Sequence, residues 1–343
     1  MQHFIKNILR KFAAQNWNMF YLLQKDLRFQ ITLLIAMTGL FCYQLFTAPV
    51  NFLLYDPTLP YAESLAQWVP QHQLVTRTAV LTLYLLQQLM IFAYFKRSNF
   101  AEQESILPCL AMAAFTVAGG TGTFFTPVTI ANTAIIGMML LNNDNETQHL
   151  KSRVLLEGIL IGIGFLYDPT LLILVFAIIP FLHYNRLTKL RDFFVALIGV
   201  IIPYLYVSAY HFFTDDLSSY LSSYTQLSLQ FPIFTATHPS VIALICTALC
   251  IIFLIYVLVK LKIKFDHRVI PVRKRFGNVH FLFAFLFIIM LLTNTPFPAS
   301  LGYLFVPLAI YLAAFAPSSR LSLSKEVVLT LFFTAITLIG IGL

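Results

Sequence analysis

The chain has 343 residues, 59% of them apolar and only 10% charged, and its mean hydropathy is +0.81. That balance excludes a pair of ordinary water-soluble domains, in which about a quarter of the residues are charged. A transmembrane β-barrel is excluded too, because its ~10-residue strands alternate apolar and polar side chains, whereas TLLILVFAIIPFL is apolar on every face.

In chain order, the first element is MQHFIKNILRKFAAQNWNMFYLLQKDLRFQ, which carries five basic residues together with Trp17, Phe20 and Tyr21. It predicts a cytoplasmic, interfacial amphipathic segment over 1–30. It is too long for the n-region of a signal peptide, so no cleavage is expected. The remainder, 31–343, reads as a single integral membrane domain, since about 20 helical residues cross a hydrocarbon core. Spans are predicted near 31–50, 78–95, 105–119, 127–141, 154–166, 170–184, 193–210, 240–259, 280–294, 301–316 and 327–343. The fold class is thus all-α, a polytopic helical membrane protein with about eleven transmembrane helices.

Threaded with the N-terminus in the cytoplasm, these spans put all 22 Lys and Arg residues except Arg77 on the inner side. The formal charge of +8 is therefore a topology signal of the positive-inside kind and does not point to nucleic acid. KLKIKFDHRVIPVRKR at 260–275 reads as a cytoplasmic anchor near anionic headgroups. The span at 154–166 is short for a full crossing, so neighbours must line it or the bilayer must thin. Two outer segments, 51–77 and 211–239, are long enough for structure of their own.

Chemistry-bearing motifs are few. GGTGT at 119–123 lacks the Lys-Ser/Thr of a phosphate loop, and HExxH, CxxC and GxSxG are absent. Cys42, Cys109, Cys246 and Cys250 fall within predicted spans as small packing residues. No metal-ligand set and no cofactor is assigned. Gln87, Gln88 and Asn132 are expected to make interhelical hydrogen bonds, Glu157 to reach toward the cytoplasmic face, and Asp192 to cap the seventh span.

The outer side is sparse and mostly acidic: Asp56, Glu63, Asp168, Asp215 and Asp216 face Arg77, His72, His211 and His238. LYDPTL occurs twice, at 54–59 and 166–171. Asp followed by Pro suits a helix start, Asp as N-cap and Pro at the first helical position. A carboxylate at membrane depth is also a functional candidate. Asp56 or Asp168 could act as a base toward an acceptor hydroxyl, with Arg77, His72, His211 or His238 binding a lipid-linked phosphate.

The layout resembles the GT-C class of membrane glycosyltransferases: an inside N-terminus, a long first outer loop with an acid, short hairpins, and another long outer loop between spans seven and eight. The resemblance implies a polyprenyl-phosphate sugar donor and a catalytic base at Asp56 or Glu63. The acid pair common in that class is separated in LYDPTLPYAES, and Asp168 would stand in for its second-loop acid. FTPVTIANTAIIGMMLL, RVLLEGILIGIGFLYDPTLLILVFAIIPFL and LRDFFVALIGVIIPY resemble a family of uncharacterised multi-pass inner-membrane proteins of Bacteroidetes. That likeness implies a bacterial inner membrane and no particular activity. The leading expectation is sugar transfer at the periplasmic face. The alternatives are a non-catalytic subunit of a cell-envelope complex, with protein partners, and a transporter or lipid flippase.

Overall fold

The computed structural model describes residues 27–47, 71–100, 105–118, 127–142, 150–184, 190–215, 217–225, 256–292 and 299–315. The segment 1–26, most of the loop 51–77 and the span at 327–343 lie outside the described residues. Within them the chain forms α1 (Leu27–Thr47), α2 (Gln73–Ser98), α3 (Leu107–Ala118), α4 (Pro127–Asn142), α5 (Leu150–Tyr167), α6 (Leu174–Tyr184) and α7 (Leu190–Phe213). These are followed by α8 (Leu217–Thr225), α9 (256–266), α10 (Ile270–Leu292) and α11 (Phe305–Phe315). Short 3₁₀ helices, Pro169–Ile173 and Ala299–Leu304, lead into α6 and α11. No strand occurs among the described residues.

Four helices, α1, α2, α7 and α10, are long and apolar enough to cross a membrane. Only 17% to 39% of their apolar windows is buried inside the bundle, and their outward faces carry Ile35, Leu89, Leu205 and Phe213. The largest apolar patch on a water-soluble monomer covers about 300–600 Å²; successive exposed Ile, Leu and Phe residues along several helices ask for an apolar surrounding.

Touching residues fix the helix directions. Phe41 stacks on Tyr84 at 4.1 Å, and Phe46 lies under the Arg77 guanidinium at 5.7 Å, so α1 and α2 are antiparallel. Gln87 reaches Thr129 and Thr133 while Met90 faces Gly137, so α2 and α4 are parallel. Gly137 faces Leu160 and Ala134 faces Gly164, which makes α4 and α5 antiparallel. Gly158 faces Ala196, and Gly162 faces Val200 and Pro203, so α5 and α7 run together. These directions gather Lys96 and Arg97 at the end of α2, Lys151 and Arg153 at the start of α5, and Arg191 at the start of α7 at one end of the bundle.

The same end holds the basic run 260–275, to which the structure adds a secondary structure that the charge pattern alone does not give. The run forms the end of α9 and the start of α10, joined by a turn at 267–269. Lys and Arg are good helix formers, and Pro271 sits in a first turn, where proline is tolerated. Lys264 donates its Nζ to the Ala314 carbonyl at 2.8 Å, and Arg275 donates an Nη1 hydrogen to the Arg97 carbonyl at 3.0 Å. Both acceptors lie in the last turns of their helices, where carbonyls lack intrahelical partners and the helix dipole favours a cation. Beneath this hairpin Phe265 stacks on Phe276 at 4.0 Å, and Phe100 meets both edge-on. Asn99 closes α2 in the left-handed region, φ 55°, which asparagine tolerates well.

Two expectations change, at the fifth span and at Asp192, and one gains detail, at Glu157. The fifth span begins at Leu150 and has 18 residues, because Lys151 and Arg153 are helical rather than loop residues. Glu157 is 2% exposed: it is held inside the bundle. Asp192 lies inside the first turn of α7, not at its cap, and is buried; a carboxylate there still favours the positive end of the helix dipole.

Candidate functional site: a buried polar core

The hydrogen-bonding side chains buried between the helices form a connected core. It starts on α2, where Gln87 donates its Nε2 hydrogens to the Thr129 carbonyl at 2.8 Å and to Thr133 Oγ1 at 2.9 Å on α4. One turn along α4, Asn132 Nδ2 donates to the Gly302 carbonyl at 2.9 Å, reaching the 3₁₀ helix before α11. The next residue, Tyr303, is fully buried and donates its hydroxyl to Asp168 Oδ2. The carboxylate's other oxygen accepts from the Thr170 backbone N–H at 2.9 Å and from Thr170 Oγ1 at 2.6 Å. The core thus links α2, α4, the turn before α11 and the α5–α6 corner.

Local sequence explains the geometry at Asp168. Asp168 has extended backbone dihedrals, φ −145° and ψ 109°, with Pro169 at the start of the following helix. This is the N-cap arrangement expected of Asp-Pro, with one difference: the helix opens as a 3₁₀ turn and becomes α only at Leu174. Asp168 is 7% exposed, and both of its oxygens accept hydrogen bonds.

Gln87 and Asn132 make the interhelical bonds expected of them. Gln88, one residue on, is buried, and both ends of its side-chain amide lack a partner among the described residues, as does Asn132 Oδ1. The space between Phe41, Tyr84, Gln87, Thr116 and Asn132 is only about 10 Å³, close to the minimum for a single water. No substrate fits there. The chemistry of this core is therefore cohesion, and Gln87→Met should lower stability by only about 1 kcal/mol, since interhelical hydrogen bonds in membranes average well below 2 kcal/mol. Thermal unfolding of the purified variant in detergent measures it.

The other predicted site residues stand apart from this core. Arg77 precedes Gln87 by ten residues, roughly 15 Å along the axis of α2, and its guanidinium rests on Phe46 of α1. His72 is exposed just before α2, and its carbonyl accepts from Thr76 N and Thr76 Oγ1. His211, in the last turn of α7, stacks on Tyr220 of α8 at 4.6 Å. Asp56, Glu63, His238 and Asp216 lie outside the described residues. Among the described residues no group of three or more His, Cys, Asp and Glu side chains is placed to hold a metal ion. Cys42 and Cys109 are free thiols, and Cys109 Sγ contacts the Gln88 carbonyl at 3.4 Å.

Sequence reasoning missed Tyr303. It lies 135 residues from its partner Asp168, and nothing in the local pattern of NTPFPASLGYLF announces it. Searches against protein-family models, curated proteins and solved structures find no match to this chain.

Proposed function

We propose that this chain is a multi-pass protein of a bacterial inner membrane, its basic end in the cytoplasm, and that its GT-C-like layout serves sugar transfer from a polyprenyl phosphate at the opposite face. The observation that carries the reading is the separation of charge. Among the described residues, basic side chains collect at one end of an apolar bundle, and Arg77 alone stands apart, twenty residues of α2 from Arg97, roughly 30 Å, which is a hydrocarbon thickness. In this reading Asp56 removes the acceptor proton. Arg77, with His72 preceding the same helix, neutralises the leaving phosphate.

Asp56→Asn is expected to lower transfer from a polyprenyl-phosphate sugar roughly a hundredfold or more, with membrane insertion unchanged. Arg77→Ala should weaken donor use in the same assay. Unchanged transfer in both variants would remove the catalytic reading.

A second reading is favoured by the state of Asp168. Both of its oxygens are engaged by neighbours, so this buried acid serves the fold. A non-catalytic subunit of an envelope complex accommodates that directly. It predicts that Asp56→Asn is silent and that the protein purifies with stoichiometric partners.

A further inference from the structure

The α9–α10 hairpin divides its basic residues into two groups. Lys264 and Arg275 are committed to the Ala314 and Arg97 carbonyls. Lys262 from α9 and Arg273 and Lys274 from α10 instead line a cleft of about 450 Å³ between the two helices. The alternation follows from helix geometry: residues 262 and 264 are about 200° apart around α9, so one turns inward to α11 and the other outward to the cleft. Phe265 and Phe276, stacked and buried, form a rigid floor, and Gly277 and His280 continue the wall.

Electrostatics make this cleft unlike an ordinary solvated surface. Three cations face one space, and among the described residues the only carboxylate on its wall is Asp266. No ion pair joins Asp266 to Lys262, Arg273 or Lys274. Like charges converging from two rigid helices repel one another, and an anion of about −1 to −2 relieves that repulsion. A phosphate group has that charge, and it has acceptor oxygens for both the planar guanidinium of Arg273 and the two ammonium groups. The cleft also has an apolar lip: Ile270 on its wall and Val269 beside it are 60% and 68% exposed. A polar slot with an apolar edge, at the end of an apolar bundle, matches a phosphate joined to a hydrocarbon chain.

We propose that Lys262, Arg273 and Lys274 form a binding site for a phosphate group, and that an anionic phospholipid headgroup, with its acyl chains along Val269 and Ile270, supplies it. Basic pockets between membrane helices on the cytoplasmic side commonly hold such headgroups. The site lies at the opposite end of the bundle from Arg77, so it stands or falls independently of sugar transfer.

The test uses the full chain in nanodiscs of phosphatidylcholine alone or with phosphatidylglycerol added, with retained lipid counted by native mass spectrometry. The variant Lys262→Gln/Arg273→Gln/Lys274→Gln is compared with Lys96→Gln/Arg97→Gln/Lys151→Gln, which removes equal charge from exposed positions outside the cleft. The cleft variant is expected to retain phosphatidylglycerol roughly tenfold less than the parent, and the comparison variant to match the parent. A parallel titration with inorganic phosphate in phosphatidylcholine nanodiscs, followed by thermal unfolding, identifies the source. Stabilisation of the parent by phosphate, lost in the cleft variant, assigns a free phosphate; retention of phosphatidylglycerol without it assigns the lipid. Equal loss in both charge-removal variants, or no loss in either, overturns the site. Lys262→Gln alone, a change at an exposed residue, repeats the measurement should the triple variant unfold.

Discussion

Asp168→Ala is expected to destabilise the bundle by about 2–4 kcal/mol, and Asp168→Asn by much less. Alanine removes two things at once. The 3₁₀ helix Pro169–Ile173 loses the side chain that accepts from Thr170 N and Thr170 Oγ1, and a lost N-cap costs about 0.5–2 kcal/mol. Tyr303, fully buried, also loses the acceptor of its hydroxyl, and stranding such a group costs about 1–3 kcal/mol. Asparagine keeps an acceptor for Thr170 and offers an amide to the Tyr303 oxygen, so most of both terms survives. Equilibrium unfolding of the two variants measures the difference. Tyr303→Phe completes the comparison: it removes the same hydrogen bond from the other side, and its loss should be smaller than that of Asp168→Ala by about the value of the cap. If Asp168→Ala unfolds like the parent, the carboxylate is not the tie between the α5–α6 corner and the turn before α11. If Asp168→Asn is fully stable yet abolishes an activity of the protein, the negative charge has a chemical role beyond capping.

How far the sequence went is clearest at these same residues. Asp-Pro announced a helix start, and the cap is there, because the interaction is local: donor and acceptor are two residues apart. Gln87 and Asn132 were legible as interhelical donors, because an amide inside an apolar run has little else to bond. Tyr303 was not legible, since its tie to Asp168 depends on how distant helices pack. Charge says which end of the bundle a segment belongs to and little about its secondary structure: the basic run 260–275 reads as an anchor, and the structure adds that it is a helical hairpin with a turn at 267–269. Glu157, one turn from Lys151 and Arg153, is buried inside the bundle. The candidate catalytic acids Asp56 and Glu63 remain expectations of the sequence alone.

A series of three glycine-to-alanine changes is expected to separate by several kcal/mol, although each adds the same methyl group to a helix. A Cβ at Gly158 would stand 2.1 Å from the Ala196 carbonyl oxygen and 3.0 Å from Gly199 Cα, and a Cβ at Gly199 would stand 2.4 Å from the Leu155 oxygen. These neighbours are backbone, so no rotamer change relieves the contact, and α5 and α7 must move apart by about 1 Å to restore a normal separation. Gly158 and Gly162, four residues apart on α5, form the small-residue seam that lets two membrane helices touch, and α5 with α7 is the most extensive helix pair among the described residues. Gly158→Ala should therefore cost about 3 kcal/mol, at the upper end of overpacking effects. At Gly137 the same methyl meets the Leu160 Cδ1 atom at 2.9 Å, the end of a side chain that can turn, so Gly137→Ala should cost about 1 kcal/mol or less. At Gly39, on the outward face of α1, nothing lies within 4 Å, and alanine's better helix propensity should stabilise by up to about 1 kcal/mol. Thermal unfolding of the three variants in one detergent gives the order directly. A Gly158→Ala protein as stable as the Gly39→Ala protein would mean that α5 and α7 do not meet through their backbones, and the parallel packing that brings Lys151, Arg153 and Arg191 to one end would lose its main support.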